Sequence, residues 1–270
     1  MILGVDHLAL ACTDAKASVG ILGLAGFELQ FHESNLHNAP GKDAFVHRYE
    51  SIHAIAFCRG QVGTGLELTS HGQLLEHTAV GNIEPFIGPV PADATMALDP
   101  MMDRADVLTT TLKIDGLYRI FWPSFGAHVW CSDHEPPGVL AATLGVSDLA
   151  AAEKFWCGGL GAQVVGRGKG WLHVRFSAPI SSWELSVVLF GSPEAAPWML
   201  DDAGFPCVAL LSTDLETDAV RLRSFGATRS SGAYTLTVAK KDITFELFRG
   251  PGGEIVELIS VGTQRRSPRS

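Results

Sequence analysis

The chain has 270 residues, of which 46% are hydrophobic, and its formal net charge is −9. A chain this acidic offers no broad basic surface for phosphates, so nucleic acid is not an expected partner. No run approaches the ~18 apolar residues that span a bilayer, and the N-terminus lacks the segments of a signal peptide, so we expect no membrane partner and a cytoplasmic location. The five cysteines form no C-x-x-C pair, which predicts free thiols.

A strand followed by an Asp-capped helix opens the chain. In GVDHLALACTD at residues 4–14, small and aliphatic residues surround His7, and Asp14 precedes a stretch whose apolar residues suit a helix. The motif recurs as GVLAATLGVSD at 138–148 and as FPCVALLSTD at 205–214. Each copy continues into a helix pattern, a turn that contains glycine and a further strand. The repeat therefore predicts β-α-β-β-β units.

Several segments within these units carry a family resemblance. They are DHLALACTD, GFELQF and GLELTS near the N-terminus and GPGGEIVELIS near the C-terminus. Together they resemble the vicinal oxygen chelate superfamily, which includes glyoxalase I, extradiol dioxygenases, methylmalonyl-CoA epimerase and the fosfomycin and bleomycin resistance proteins. The resemblance covers residues 3–71 and 138–262 and is poor over 72–137. It implies an α+β fold whose repeated βαβββ modules form curved, cup-shaped mixed sheets, with helices on the outer face.

We predict two sequential halves. Residues 1–137 are assigned to an N-terminal glyoxalase-like half, with module 1 at 3–71 and a degenerate module 2 at 72–137. Residues 138–262 are assigned to a C-terminal half that contains modules 3 and 4, and 263–270 to a disordered tail. In module 2 the three later strands are expected within VLTTTLKIDGLYRIFWPSFGAHVWCSD, while the proline-rich segment before it shows no clear helix.

Side-chain alternation predicts that an imidazole and a carboxylate meet inside the first cup. His7 shares one strand face with Ala9, and in GLELTS the side chain of Glu67 lies opposite the face that holds Leu66. A metal ion is one way to stabilise a carboxylate in a semi-enclosed cavity. The resemblance implies metal ligands at the same two positions.

The third ligand is open between two histidines. His128, in FGAHVWCSD, follows a glycine by two residues as Glu67 does, so His7, Glu67 and His128 are predicted to bind one divalent ion of Fe, Mn, Ni or Zn. His53, in SIHAIAF, competes with His128 and is, together with Glu67, a candidate catalytic residue. Glu84 or a water could supply a fourth contact.

The C-terminal half carries a different residue set. Ala141 and Cys207 occupy the position of His7, whereas Glu257 in EIVELIS matches the carboxylate position of Glu67. We therefore expect the C-terminal half to bind no metal. The structural alternative is a site shared by the first and last modules, with Cys207 and Glu257 opposite His7 and Glu67.

Two function classes follow from these observations. The first is a metal-dependent enzyme acting on a small organic substrate chelated through oxygen atoms, in which the ion stabilises an enolate or oxyanion while a nearby base moves a proton. Isomerase, epimerase, lyase and dioxygenase chemistry all fit. The alternative is a metal-free protein that binds or sequesters a small molecule, as the bleomycin-resistance relatives do. A histidine and a glutamate facing the cup favour the enzyme. A homodimer is left open.

Overall fold

Two mixed sheets of nine strands each form the body of the protein. The computed structural model describes residues 1–74, 83–89, 94–96, 102–192, 195 and 197–261. In chain order its strands are β1 (Ile2–Cys12), β2 (Glu28–His37), β3 (Ile52–Arg59), β4 (Val62–Gly63), β5 (Gly65–Ser70), β6 (Glu84–Ile87), β7 (Thr95–Met96), β8 (Tyr118–Trp122), β9 (Ala127–Cys131), β10 (Gly138–Val146), β11 (Gln163–Gly168), β12 (Trp171–Phe176), β13 (Leu185–Gly191), β14 (Gly204–Ser212), β15 (Arg229–Ser230), β16 (Tyr234–Val238), β17 (Lys241–Arg249) and β18 (Ile255–Val261). The α-helices are α1 (Ala15–Leu24), α2 (Met102–Leu112), α3 (Leu149–Glu153) and α4 (Leu215–Ser224).

The first sheet joins the two ends of the chain. Its strand order is β15-β17-β18-β14-β1-β5-β3-β2, with β16 paired to β17, and β1 runs antiparallel to β14 at its centre. The second sheet has the order β11-β12-β13-β10-β6-β9-β8-β7, with β4 paired to β10. The predicted fold class, with curved mixed sheets built from repeated modules, is confirmed.

The modules pair as first with last and second with third, so the sheets do not follow the predicted halves at 1–137 and 138–262. The sequence does not predict this pairing, because the first strand of each module has an unpaired edge that the first strand of another module can bind. Hydrophobic alternation specifies which face of that strand is buried, but not which other first strand pairs with it. The predicted tail at 263–270 lies outside the described residues.

Three aspartates fix where the helices of the repeat begin. The side chains of Asp14, Asp148 and Asp214 accept hydrogen bonds from the backbone N–H groups of Ala17, of Ala150 and Ala151, and of Thr217, respectively. An N-cap carboxylate satisfies donors that have no partner inside the helix. The strand and Asp-capped helix seen in all three sequence repeats are therefore confirmed. No helix among the described residues is long and apolar enough to cross a membrane.

Helix α2 packs on the concave face of the second sheet. Its Leu108 is fully buried in an apolar cluster with Phe86, Ile114, Trp130, Ala141, Val188 and Phe190. The outer face of this sheet instead contacts α3, through alternate residues such as Leu144 and Leu189. Two expectations are corrected here: VLTTTL belongs to a helix rather than a strand, and this helix does not lie on the outer face. Burial of Leu108 outweighs the weak helix propensity of its β-branched neighbours.

Candidate functional site

The register of the first sheet brings four chemically reactive side chains to one face. Strand β1 pairs in parallel with β5 and antiparallel with β14, and β14 pairs in parallel with β18. Ala9 lies opposite both Glu67 and Cys207, and Ala209 lies opposite both His7 and Glu257. Because side chains alternate along a strand, one concave face holds His7, Glu67, Cys207 and Glu257. This is the alternative site between the first and last modules.

The imidazole of His7 is oriented by the carboxylate of Asp6. Its side chain is 2% exposed, its Nδ1 lies 3.0 Å from Oδ2 of Asp6, and its ring meets Phe57 edge-on at 5.8 Å. Its Nε2 lies 3.8 Å from Oε2 of Glu67 and 4.0 Å from Oε2 of Glu257. That buried nitrogen has no hydrogen-bond partner within the described residues. A carboxylate on the far nitrogen is a common way of orienting a metal-binding histidine.

The buried carboxylates and His7 shift each other's protonation. Burial acts to lower the pKa of His7, but the charges of Glu67, Asp6 and Glu257 outweigh it and raise the pKa to about 9. Burial and the charge of Glu67 raise the pKa of Glu257 to about 7, against the opposing influence of Lys42 and His7. Without a cation in the cup, His7 therefore carries a proton that partly offsets the carboxylates.

Cys207 occupies the position in β14 that His7 occupies in β1. Its side chain is buried, and burial together with Glu257 and Glu67 raises the pKa of the thiol well above 9. The thiolate is the form that binds metals, so a neutral Cys207 is a poor ligand. The donor set on this face is consequently one imidazole nitrogen and two carboxylates.

A cavity of about 20 Å³ lies beside these side chains, lined by Ala9, Lys42, Glu67, Thr69, His71, Leu200, Pro206, Cys207, Leu247 and Glu257. That volume holds about one water molecule or a bare ion, and an organic molecule would need it to widen. Lys42 reaches it from a 3-10 segment, Pro40–Phe45. Thr69 donates a hydrogen bond of 3.3 Å to Oε1 of Glu67 and so restrains that carboxylate.

Gly65 keeps the wall behind His7 closely packed. It lies opposite His7 in the sheet, and a Cβ at this position would come within 2.5 Å of Cζ of Phe57. Phe57 in turn stacks on Phe31 at 5.6 Å. Glycine is therefore required at position 65 because the Phe57 ring lies so close. Phe57 in turn contacts the imidazole of His7 and restricts its position.

The donor set suits a divalent ion, although the side chains are not in ligand positions. No group of three or more His, Cys, Asp or Glu side chains in the described part of the chain is arranged to hold an ion as it stands. Two atoms bound to one ion at ~2.1 Å are roughly 3.0 to 3.4 Å apart, whereas Nε2 of His7 is 3.8 and 4.0 Å from the two carboxylates. Both carboxylates would therefore have to move closer to Nε2 to bind one ion together with it.

His128 and Glu84, the predicted third and fourth ligands, are placed in the second sheet. His128 lies in β9, where its ring contacts Phe121 at 5.2 Å. Glu84 lies in β6 and accepts two hydrogen bonds from Arg119, of 2.6 and 2.9 Å. The structure brings Glu257, rather than either of these, beside His7.

His53, the other candidate, lies in β3 near the rim of the first cup. Its Nδ1 is 3.2 Å from the carbonyl oxygen of Leu36. Burial, followed by the charges of Lys42 and His71, lowers the pKa of His53 to about 3. An imidazole with so low a pKa is a weak proton acceptor at neutral pH.

Several solved structures superpose on most of this chain. Glyoxalase I from Zea mays superposes with a TM-score of 0.56 at 14% identity, over 95% of this chain and 92% of that chain. The chain has the glyoxalase fold. A point variant of the maize protein gives a TM-score of 0.59 at 15% identity, over 95% and 92% of the two chains. A candidate dioxygenase from Bacillus subtilis gives 0.58 at 12% identity, over 96% and 85%.

The glyoxalase fold confirms the architecture that the resemblance to the vicinal oxygen chelate superfamily implied. No protein-family model matches the sequence, and no curated protein matches it.

Three residues of the cup carried weak sequence signals. Glu257 matched the carboxylate motif but was assigned to a separate half. Asp6 precedes His7, and neighbours on a regular strand face opposite ways, yet the pairing of β1 with β14 is irregular between Val5 and His7, which lets the two side chains meet. Lys42 lies in PGKDAF, a segment without a recognisable motif.

Proposed function

We propose that the cup of the first sheet binds one divalent metal ion through His7, Glu67 and Glu257, and that the protein is an enzyme acting on a small organic molecule through its oxygen atoms. The observation that carries this proposal is the buried Nε2 of His7, which has no partner within the described residues and lies between two carboxylates. A buried polar atom without a partner costs free energy unless something binds it.

The electrostatics of the cup support a cation there. Asp6, Glu67 and Glu257 place three carboxylates around one imidazole, and the charge of Glu67 disfavours the ionised form of Glu257. Fe, Mn, Ni and Zn all accept this donor set. A bound ion supplies Lewis acidity toward substrate oxygens that gain negative charge.

The protein side chains then position and move protons. Asp6 holds the proton on Nδ1 of His7, so that Nε2 keeps its lone pair for the ion. Glu67, restrained by Thr69, is better suited than His53 to accept a proton from the substrate, because the pKa of His53 is lowered to about 3. Isomerase, lyase and dioxygenase reactions are all compatible with these roles.

Metal analysis of matched variants tests the proposal. We expect the wild-type protein to bind one equivalent of metal ion, and His7→Ala, Glu67→Ala and Glu257→Ala each to lose most of that affinity. His128→Ala is the matched control, because His128 lies in the other sheet, and it should bind as the wild type does. Absence of metal from wild-type protein offered Fe, Mn, Ni and Zn overturns the proposal.

The second candidate function, small-molecule binding without a metal, is favoured by a groove in the second sheet. The groove has a volume of about 530 Å³ and lies between α2 and the hairpin β11–β12. Trp171 and His173 line it, and Nε2 of His173 is buried without a partner among the described residues. Burial, followed by Arg175, lowers the pKa of His173, so its ring is neutral. These walls suit a flat aromatic molecule with one polar group.

Binding of 1-naphthol, followed by calorimetry, tests this second candidate. An added Cβ at Gly166 would lie 3.5 Å from the Trp171 ring, which is ordinary contact. A longer side chain there projects into the groove without distorting its wall. We expect Gly166→Leu to abolish binding and Gly166→Ala to reduce it only slightly. Equal affinity in all three proteins contradicts a site in this groove.

A further inference from the structure

Lys42 brings a positive charge to the cavity of the first cup. It lines that cavity together with Glu67 and Glu257, and it is half-buried. Its ammonium lies 5.4 Å from the centre of the Phe245 ring, which supports it from one side. Pro40 begins the 3-10 segment that carries it, and proline restricts the backbone there.

In the part of the chain that the structure describes, the ammonium of Lys42 has no carboxylate within ion-pair distance. Among the described residues it makes no hydrogen bond and no ion pair within 4.0 Å, although the charge of Lys42 lowers the pKa of Glu257. It also lowers the pKa of His53 and of His71. The charge is therefore close enough to influence the whole cavity but is not bound by any of these groups. A half-buried ammonium with three free donors is suited to an incoming anion.

The cup gains a net positive charge when a divalent ion binds. Asp6, Glu67 and Glu257 are countered by Lys42 and by Arg59, which lies 3.8 Å from Asp6. Without an ion, protonated His7 is a third cation, so three carboxylates and three cations leave no net charge. A bound ion displaces that proton, and three carboxylates against two side-chain cations then leave one net negative charge around the ion. A divalent ion converts this to one net positive charge, which is complementary to a monoanion.

We propose that Lys42 recognises an anionic oxygen of the substrate, so that the enzyme acts on small organic monoanions, such as 2-oxo carboxylates, rather than on neutral carbonyl compounds. This inference rests on the function proposed above. Lys42 also has the longest side chain of those that line the 20 Å³ cavity, so its rotation would widen the cavity for a ligand. Lys42 is thus a specificity-determining residue rather than a metal ligand.

Calorimetric titration of the Mn²⁺-loaded protein with pyruvate and with pyruvamide tests this role. The two compounds present the same pair of adjacent oxygens and differ in charge. We expect the wild-type protein to bind pyruvate about tenfold more tightly, since a charge-assisted hydrogen bond contributes on this order. Lys42→Gln should lose that preference without a change in pyruvamide affinity, and Lys42→Arg should retain it. The matched control is Lys16→Gln on the exposed side of α1.

The outcomes separate this inference from the proposed function. If Lys42→Gln binds Mn²⁺ and keeps the wild-type preference for pyruvate, the role of Lys42 is refuted while the metal site stands. If Mn²⁺-loaded wild-type protein binds neither compound, the role of Lys42 is also refuted while the metal site stands. If the wild-type protein takes up no Mn²⁺ or other offered ion, the proposed function fails first, and the inference fails with it.

Discussion

The two cups are built from the same module and the same strand register, yet they differ in what fills their concave faces. In the first sheet the four positions that face each other across the central strands hold His7, Glu67, Cys207 and Glu257. In the second sheet the corresponding register places there Ala141, Val188, Glu84 and Trp130. The pairing of two modules forms each cup, and the residues at these four positions determine whether the cup presents polar or apolar groups.

The carboxylate of the second cup is paired with an arginine, whereas among the described residues the two carboxylates of the first cup are not. Glu84 is bound by Arg119, and Leu108 of α2 is buried against the apolar positions. In the first cup the carboxylates of Glu67 and Glu257 face each other with little direct compensation. The carboxylates of the first cup are consequently suited to bind a cation, whereas α2 fills the concave face of the second cup.

The largest effect is expected from breaking the packing of the second cup. Leu108→Ala removes a fully buried side chain from the interface of α2 with the sheet, and it should lower the free energy of unfolding by about 2 to 5 kcal/mol. Urea denaturation measures this change. Leu24→Ala, at a helix position that is 77% exposed, is the matched control and should cost less than about 0.5 kcal/mol. Similar losses in both variants contradict the packing of α2.

An effect of opposite sign is expected from the first cup. In metal-free protein, Glu257→Gln should raise the free energy of unfolding by about 1 to 3 kcal/mol at pH 8, because it removes a buried charge. The pKa of Glu257 is raised from 4.5 to about 7, so the wild-type protein loses stability as pH rises through that window and the variant does not.

Unfolding measured from pH 4 to pH 8 tests the sign of this effect. The difference between Glu257→Gln and wild type should be small at pH 4 and grow as the carboxyl ionises. Glu28→Gln, at an exposed position of β2, serves as control and should show no such growth. A difference that is independent of pH contradicts a strained carboxylate at Glu257.

The third effect, similar in size to the second, concerns the wall behind His7. Gly65→Ala forces the Phe57 ring to move, and it should lower the free energy of unfolding by about 1 to 3 kcal/mol and weaken metal binding through His7. Gly20→Ala, on α1 with no atom within 4 Å of the added Cβ, should instead stabilise by about 0.5 to 1 kcal/mol. Thermal unfolding and metal titration of both variants decide whether Gly65 is specifically required.

The sequence predicted the local elements of the fold well and their partners poorly. The N-caps Asp14, Asp148 and Asp214 could be predicted because capping depends on a few neighbouring residues. Helix α2 could not, because DVLTTTL has β-branched residues and becomes helical by burying Leu108 against a distant sheet.

In the candidate site, too, some residues could be predicted from local sequence and others depend on long-range strand pairing. The cup-facing positions of His7 and Glu67 follow from side-chain alternation within one module. Glu257 and Lys42 reach the site only through the pairing of β1 with β14 and the path of Pro40–Phe45. Nothing local to those segments encodes either contact.

The pairing of β1 with β14 also sets an order of assembly. The two strands of this pair lie some two hundred residues apart in sequence, so the loop between them must close before the first sheet is complete. Apart from the short β4, the strands of the second sheet follow one another from Glu84 to Gly191, and domains generally form in the order of synthesis. During translation one edge of β1 is therefore expected to stay unpaired until β14 is synthesised, and the face that carries His7, Glu67 and Glu257 is expected to form last.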